Sequence, residues 1–394
     1  MRICHVTSHL PPDQAANALL PMHLGEWARA AGDTCVFVAQ PPRAIGLATA
    51  TALAGIQRTL PGDVVWFEPR RPSWRVPVVS HAASLADAIR LWRVAGAALR
   101  AADVVHVHSN GLLPEAASLL ASWLRVPVVL TLYGTEIWHY RRRKVGVDLF
   151  ARAYRSAAQV TFYSQGLLDR ALEHGLTRAG LSVVYPPVAG YFTPAGDATR
   201  QQARETLGLR ERHVLVNVKR LHPLAGQRYL IEAMPAVLGL HPDTRLVFCG
   251  TGPLRSELED LVGALGIADH VTFAGLLDNR MVASYYAAAD LFVLPSLLEA
   301  CPTVAIEALA SGTPVVSTDN PGGVELQRLF GGDVRIVPRE NPGALSAAIS
   351  LFLNNPQRAR PGTGETIARE FAPAIVARRF ADVYRLAAPG ASLD

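Results

Sequence analysis

The sequence predicts an α/β protein of two doubly wound, Rossmann-like domains facing an interdomain cleft. Three observations carry that expectation. Short β-branched runs alternate with Ala/Leu-rich stretches of helical length, the pattern of parallel strands covered by helices. The alternation restarts after a Pro-, Gly- and polar-rich stretch near residues 187–212, which reads as a linker. The chain has 394 residues, against about 100 to 200 for an ordinary domain.

Taken in order, "RICHVTS" and "TCVFVAQ" open a first sheet. "VVHVH" (Val104–His108), "VPVVLTLYG" from Val126, "AQVTFYS" from Ala158 and "LSVVYPP" from Leu181 continue it. Between them, "PEAASLLASWL" and "SQGLLDRALEHG" have helical spacing; the second opens at Ser164, a good N-cap, and stops at Gly175. The second sheet reads as "VLVNVKR" from Val214, "RLVFCG" from Arg245, "HVTFAG" from His270, "DLFVLPS" from Asp290, "PVVST" from Pro314 and "VRIVP" from Val334. "PAIVARRFADVYRLAA" is a closing helix. The expected boundaries are a first domain over 1–190, a linker over 191–212, a second domain over 213–365, and a terminal helix in 366–394 packing back on the first domain. Open α/β sheets bind ligands at the carboxyl ends of their strands, which places the site in the cleft.

Composition excludes several classes. With 50% hydrophobic and 18% charged residues, the chain is globular and not disordered. "MRICHVTSHLPP" reads as a strand and not a secretory signal, and charged residues interrupt every long apolar run; a cytoplasmic protein is expected. Cys4, Cys35, Cys249 and Cys301 form no zinc-like or Cys-x-x-Cys spacing, so neither disulfide nor metal is expected of them. A net charge of +5 permits an anionic partner without identifying one, and no nucleic-acid partner is expected. In "WHYRRRKVG", Arg141, Arg142, Arg143 and Lys144 leave three readings open: a solvated face, a contact to a phosphorylated acceptor, or a patch on anionic lipid.

The stretch "PSLLEACPTVAIEALASGTPVV" carries the chemistry. Its strand ends at Pro295 and Ser296, Glu299 through Pro302 make a turn, and a helix runs from Thr303 to about Ser311, stopped by Gly312. Backbone N–H groups at a helix start, with roughly half a positive charge from the macrodipole, suit a phosphate. Glu299 and Glu307 either hold vicinal sugar hydroxyls through charge-assisted bonds or merely decorate a turn and a helix. "GTGP" at Gly250 lacks the third glycine of a dinucleotide fingerprint.

"EACPTVAIE" resembles the Glu-x7-Glu motif of the family 4 retaining glycosyltransferases, which have the two-domain GT-B fold. "FVLPSLLEA", "EALASGTPVVST", "HVTFAGLLDNRMVASYYAAAD", "LVFCGTGPLRSEL" and "VKRLHPLAGQRYLIEAM" extend the likeness across residues 212–325, and "SHLPP" carries it weakly into the first domain. The resemblance implies that Glu307 binds the nucleotide ribose, and that Glu299 with the backbone of Cys301, Pro302, Thr303 and Val304 holds the donor sugar and distal phosphate. It implies that Ala274 to Leu277, including Leu276 and Leu277, grips the base, and that Arg220 neutralises the diphosphate and stabilises the leaving nucleotide. The activity implied is retaining transfer of a sugar by front-face displacement, with a nucleotide diphosphate-sugar as co-substrate. No Asp-x-Asp pair occurs, so no metal or other cofactor is expected.

The sequence departs from the family pattern at three places. The usual Lys five residues after the Arg is Ala225, leaving Lys219 as the neighbouring cation. The usual His after the "VVLTL" strand is Tyr133, a bulkier hydrogen-bond donor, which motivates a donor sugar altered at C6. The glycine pair after the first strand is Ala15 and Ala16, and glycines of the Glu-x7-Glu turn are Ala300 and Pro302. Arg220, Glu299 and Tyr133 are thus the expected catalytic groups, with Lys219 and Ala16 among the donor-binding residues. His108, Glu136, Trp138 and His139 are the candidates for a small-molecule acceptor, and His106, two residues earlier on the same strand face, is expected in the core. The Ala/Arg/Leu-rich composition suggests a bacterial natural-product pathway. The alternatives are an enzyme at a membrane surface acting on lipid or cell-envelope glycan, and a nucleotide-binding relative that transfers nothing.

Overall fold

The computed structural model describes residues 1–13, 16–42, 50–68, 77–109, 111–141 and 148–390. The chain divides into two compact units, Met1–Val184 with Ala377–Asp394, and Tyr185–Val376.

The first unit is built on a parallel sheet of seven strands: β1 (Arg2–Thr7), β2 (Thr34–Ala39), β3 (Asp63–Trp66), β4 (Val104–His108), β5 (Val128–Leu132), β6 (Gln159–Phe162) and β7 (Leu181–Val183). Their order is β3-β2-β1-β4-β5-β6-β7. Val36, Val38, Val105, Val107 and Leu130 fill the strand interiors because both faces are covered by helices. The four-residue β3 is absent from the sequence reading, since "DVVW" is too short to show a period. The terminal helix Pro373–Ala387 brings Phe380 and Tyr384 against His106 of β4.

The second unit has six parallel strands: β8 (His213–Val218), β9 (Thr244–Cys249), β10 (Val271–Gly275), β11 (Leu291–Leu294), β12 (Val315–Thr318) and β13 (Val334–Val337), ordered β10-β9-β8-β11-β12-β13. In each sheet the first strand lies between the second and a later one, so the winding reverses beside it: between β1 and β4 in one unit, between β8 and β11 in the other. That reversal opens a crevice at the carboxyl ends of the two strands.

The span expected as a linker is partly a helix, Asp197–Leu207, and it belongs to the second unit. It has no buried residue, so it shows no apolar stripe to read. Charge holds it instead: Arg200 and Arg204 both bond the carboxylate of buried Asp290, which also accepts the Val214 N–H at 2.7 Å. Left-handed Gly208, at φ 69°, closes it. All four cysteines are unpaired thiols; burial pushes Cys4, Cys35 and Cys249 up to about 12. Among the described residues, no helix is long and apolar enough to cross a membrane.

Candidate active site

At the reversal point of the second unit, β8 delivers Lys219 and Arg220, and the turn after β11 delivers Glu299 to the helix Thr303–Ala310. Lys219 Nζ lies 2.7 Å from Glu299 Oε1. Arg220 is exposed and, among the described residues, has no ionic partner; its carbonyl accepts from Gln227 Nε2 at 3.1 Å. Pro302 takes the N-cap position and no side chain caps the helix, so the N–H groups of Thr303 and Val304 have no side-chain acceptor. A cation and a helix start therefore converge where an anion is favoured.

The strand ends meet so closely that glycine is required. Gly226 has φ 66°, and a Cβ there would stand 2.0 Å from the Pro295 carbonyl oxygen. Gly322, opening the helix Pro321–Phe330, would place a Cβ 2.7 Å from that of Glu299, and its N–H donates to the Glu299 carbonyl at 2.8 Å. The Glu299 turn is thus pinned by a neighbouring helix start.

Glu307, one turn into its helix, is deep enough that burial pushes its carboxyl up to about 7, although the Tyr286 hydroxyl and the Lys219 charge pull it down. Tyr286 donates to Glu307 Oε2 at 3.4 Å. Tyr191 feels the Glu307 charge, and the Arg280 guanidinium stacks 5.2 Å above its ring. Near neutral pH, Glu307 is a half-ionised carboxyl beside a Lys/Glu pair.

In the first unit, the reversal point is filled by neutral polar groups. His108 Nε2 is 3.1 Å from His5 Nδ1, and His108 Nδ1 is 2.7 Å from the Tyr133 hydroxyl. His106 bonds Tyr384 at 2.8 Å and Thr131 at 2.7 Å, and Thr131 bonds Thr161. All three imidazoles are fully buried, and burial drives His5 down to about 3, with His106 and His108 well below 6.5. Their ligand atoms lie within 4.8 Å of one another, the one such His/Cys/Asp/Glu group among the described residues. Hydrogen bonds engage both nitrogens of His106 and of His108, and only Nε2 of His5 in the cluster has no hydrogen-bond partner. Burial also pushes the Tyr133 phenol well above 10, so it stays protonated.

Two family models match this chain, "Glycosyl transferases group 1" over residues 199–364 and "Glycosyltransferase Family 4" over residues 23–189. A Bacillus subtilis glycosyltransferase assigned to teichuronic acid biosynthesis is 30% identical over 305 residues, covering 75% of this chain and 69% of its own. The chain belongs to glycosyltransferase family 4. Within that family it is also similar to the alpha-D-kanosaminyltransferase of Streptomyces kanamyceticus, 27% identical over 73% of this chain and 75% of that one. The crystal structure of Anabaena HepE in complex with UDP superposes with a TM-score of 0.73 at 18% identity, covering 97% and 99% of the two chains. The two Rossmann-like sheets are those of the GT-B fold.

For this family 4 chain, the sequence-derived site divides as follows. Lys219, Arg220, Glu299, Cys301, Pro302, Thr303, Val304 and Glu307 gather at one end of the second sheet. Lys219, one residue past the end of β8, is turned onto Glu299. Ala225 is buried and supplies no charge there. Leu276 and Leu277 follow β10 on the same edge, with Leu276 64% exposed.

In the first unit, Tyr133 follows β5, while His108 is wholly buried and lines no surface, because its strand is covered on both faces. Glu136 is buried too, its carboxylate accepting the Tyr133 and Gly134 N–H groups at 3.1 and 2.7 Å; its oxygens serve the loop and not an acceptor. Trp138 is half-buried against the core, whereas His139 is exposed. Ala16 begins the helix Ala16–Ala30; Ala15 and the basic residues Arg142 to Lys144 lie outside the described residues. Tyr286, Tyr191 and Arg280 are absent from the sequence reading. A Tyr in an Ala-rich helix was the available signal, since a buried phenol needs a partner.

Proposed function

We propose that this chain is a retaining, metal-independent glycosyltransferase that moves a sugar from a nucleotide diphosphate-sugar to a small-molecule acceptor. The observation that carries this reading is the convergence of Lys219, Arg220, Glu299, Glu307 and the uncapped Thr303 helix at the β8/β11 reversal point. Arg220 and the Thr303 and Val304 N–H groups take the diphosphate and neutralise it as the glycosidic bond breaks. Glu307 accepts from the ribose hydroxyls, and Glu299, oriented by Lys219, accepts from the transferred sugar. Tyr133 donates to an oxygen of that sugar, and its bulk beside C6 favours a donor deoxygenated or extended there. The relative that transfers a kanosaminyl group supports the sugar-transfer reading.

A thermal-shift panel of UDP, GDP, dTDP, ADP and CDP tests the donor site. At a hundred times its dissociation constant, the right nucleotide stabilises by about 2.7 kcal/mol. Silence across the panel refutes the reading, and binding of a nucleotide without consumption of any sugar nucleotide leaves a non-transferring relative. Turnover of C6-modified against unmodified hexose donors tests the donor preference.

One surface feature favours a second reading, action at a membrane. Trp123 is 71% exposed, its ring edge-on to Trp92 at 5.3 Å, with the Arg100 guanidinium 4.9 Å over Trp92. Ile89 and Arg93 extend that stripe along the helix Pro77–Ala101, which carries no carboxylate among positions 89, 92, 93, 96 and 100. Aromatic rings interleaved with arginine suit an anionic bilayer interface. Co-sedimentation with vesicles containing an anionic lipid, weakened by salt and by Trp123→Ala, supports this reading; equal recovery with neutral and anionic vesicles removes it.

A further inference from the structure

The direction of the hydrogen bonds beneath Tyr133 is set by a nitrogen far from it. His5, on β1, is stacked on Phe37 with ring centroids 5.3 Å apart and is fully buried; its Nε2 has no partner. Its Nδ1 meets His108 Nε2 at 3.1 Å, and His108 Nδ1 meets the Tyr133 oxygen at 2.7 Å. Both rings are neutral, because burial and the close packing of three imidazoles, with His106 and His108 centroids 3.9 Å apart, oppose a proton on any of them. A neutral imidazole carries one N–H, so only two arrangements keep both bonds.

In the first, Tyr133 donates to His108 Nδ1, His108 Nε2–H donates to His5 Nδ1, and the last proton sits on His5 Nε2. That leaves a buried N–H with no acceptor, a feature native structures rarely tolerate. In the second, every proton moves the other way and His5 Nε2 is left as a bare lone pair, with no donor stranded. We propose that His5 and His108 are positioning residues: His5 Nδ1–H donates to His108 Nε2, His108 Nδ1–H donates to the Tyr133 oxygen, and the Tyr133 hydroxyl proton is thereby aimed away from the histidines. On that side the Tyr163 ring lies next to Tyr133, with centroids 4.5 Å apart. A substrate oxygen accepts the proton there. The group recognised at this point is therefore an oxygen acceptor and not an N–H or O–H that must donate.

The part concerning substrate rests on the glycosyltransferase reading; the proton arrangement does not. Nitrogen NMR of the full chain, labelled with ¹⁵N-histidine and free of ligand at neutral pH, distinguishes the protonated from the bare ring nitrogen. Both His5 and His108 are expected as Nδ1–H tautomers, the minor form of the neutral histidine side chain in water. An Nε2–H tautomer at either one overturns the proposal. In Tyr133→Phe either arrangement strands one N–H, so the intrinsic preference takes over and both rings are expected to shift to Nε2–H; unchanged Nδ1–H signals there would also overturn it. Once a sugar nucleotide is turned over, His5→Phe is expected to lower kcat about three- to tenfold at unchanged KM, the loss of one oriented hydrogen bond. It is expected to do nothing further in the Tyr133→Phe background, and an additional loss there contradicts action through Tyr133. Nδ1–H tautomers in a chain that consumes no sugar nucleotide would refute the proposed function while leaving the relay standing.

Discussion

Replacing Glu307 by Gln should make the protein more stable and less able to bind its ligand, and the pH dependence of the first effect is fixed by the burial of this carboxyl. Its folded-state value is raised from 4.5 to about 7. Between those values the unfolded chain has lost the proton and the native chain has kept it, so the native state binds more protons and stability falls as pH rises. The loss begins near pH 4.5, is complete above about 7, and at roughly 1.36 kcal/mol per pH unit amounts to about 3 kcal/mol. Glu307→Gln has no proton to lose. The variant and the parent should differ least near pH 4.5, and the gap in the variant's favour should widen to about 3 kcal/mol by pH 8. For a unit of this size that is roughly 6 to 12 °C in Tm. Denaturant or thermal unfolding of both proteins at pH 5, 6, 7 and 8 reads it directly. A gap that stays constant with pH refutes the assignment of a raised, desolvated carboxyl, whatever its sign. Binding should run the opposite way: parental affinity for the stabilising nucleoside diphosphate should tighten as pH rises through about 7, and the variant should bind about ten- to a hundredfold more weakly at pH 8, having lost charge-assisted bonds.

Other substitutions probe the same edge of the sheet. Lys219→Met removes a charge that pulls Glu307 down, so the midpoint of the pH-dependent affinity should move upward; a midpoint that stays put would show that Lys219 does not act on Glu307. Arg220→Lys keeps the charge and loses the planar fork, so nucleoside diphosphate affinity should fall at least about threefold in calorimetry while Tm is unchanged, as suits an exposed residue. Gly226→Ala should cost at least about 2 kcal/mol in denaturant unfolding, since a Cβ would meet the Pro295 oxygen at 2.0 Å with φ 66°; a neutral result would mean that this turn relaxes freely.

The parts legible in the sequence were those whose signal is local. β-Branched runs marked the strands, and a strand-turn-helix with Glu299 and Glu307 eight positions apart could be placed on its elements before any tertiary contact was known. Period-two alternation correctly put His106 and His108 on one face. It gave no measure of depth, because a strand covered on both faces buries its last residue as fully as its middle one, and His108 is therefore no surface group. The His5–His108 bond joins residues 103 positions apart across parallel β1 and β4. No local pattern encodes that pairing. The helix Asp197–Leu207 was missed for the opposite reason: it is held by Arg200 and Arg204 to Asp290, and a charge contact leaves no apolar period.

The two reversal points hold polar groups of different kinds, and the difference follows from what each must do. In the second sheet the groups are formally charged, Lys219, Arg220, Glu299 and Glu307, and they lie where the chain leaves the strand ends. Arg220 there is exposed and Lys219 and Glu299 are partly so, while Glu307 is buried deeply enough to keep its proton toward neutral pH. In the first sheet the groups are neutral, His5, His106, His108, Thr131 and Thr161, and they lie within the strands. Burial that complete would be prohibitive for an ion and is tolerable for a neutral chain of donors and acceptors. A neutral chain cannot compensate a phosphate; what it transmits is direction, through which nitrogen holds the proton. At the end of β5 stands Tyr133, a group whose phenol stays protonated because burial holds it well above 10. A donor that neither ionises nor gains charge cannot respond to pH in the range where Glu307 does. Any pH dependence of donor binding near neutrality should therefore vanish in Glu307→Gln and survive in Tyr133→Phe. Loss of the pH dependence in the phenylalanine variant would contradict this division of labour.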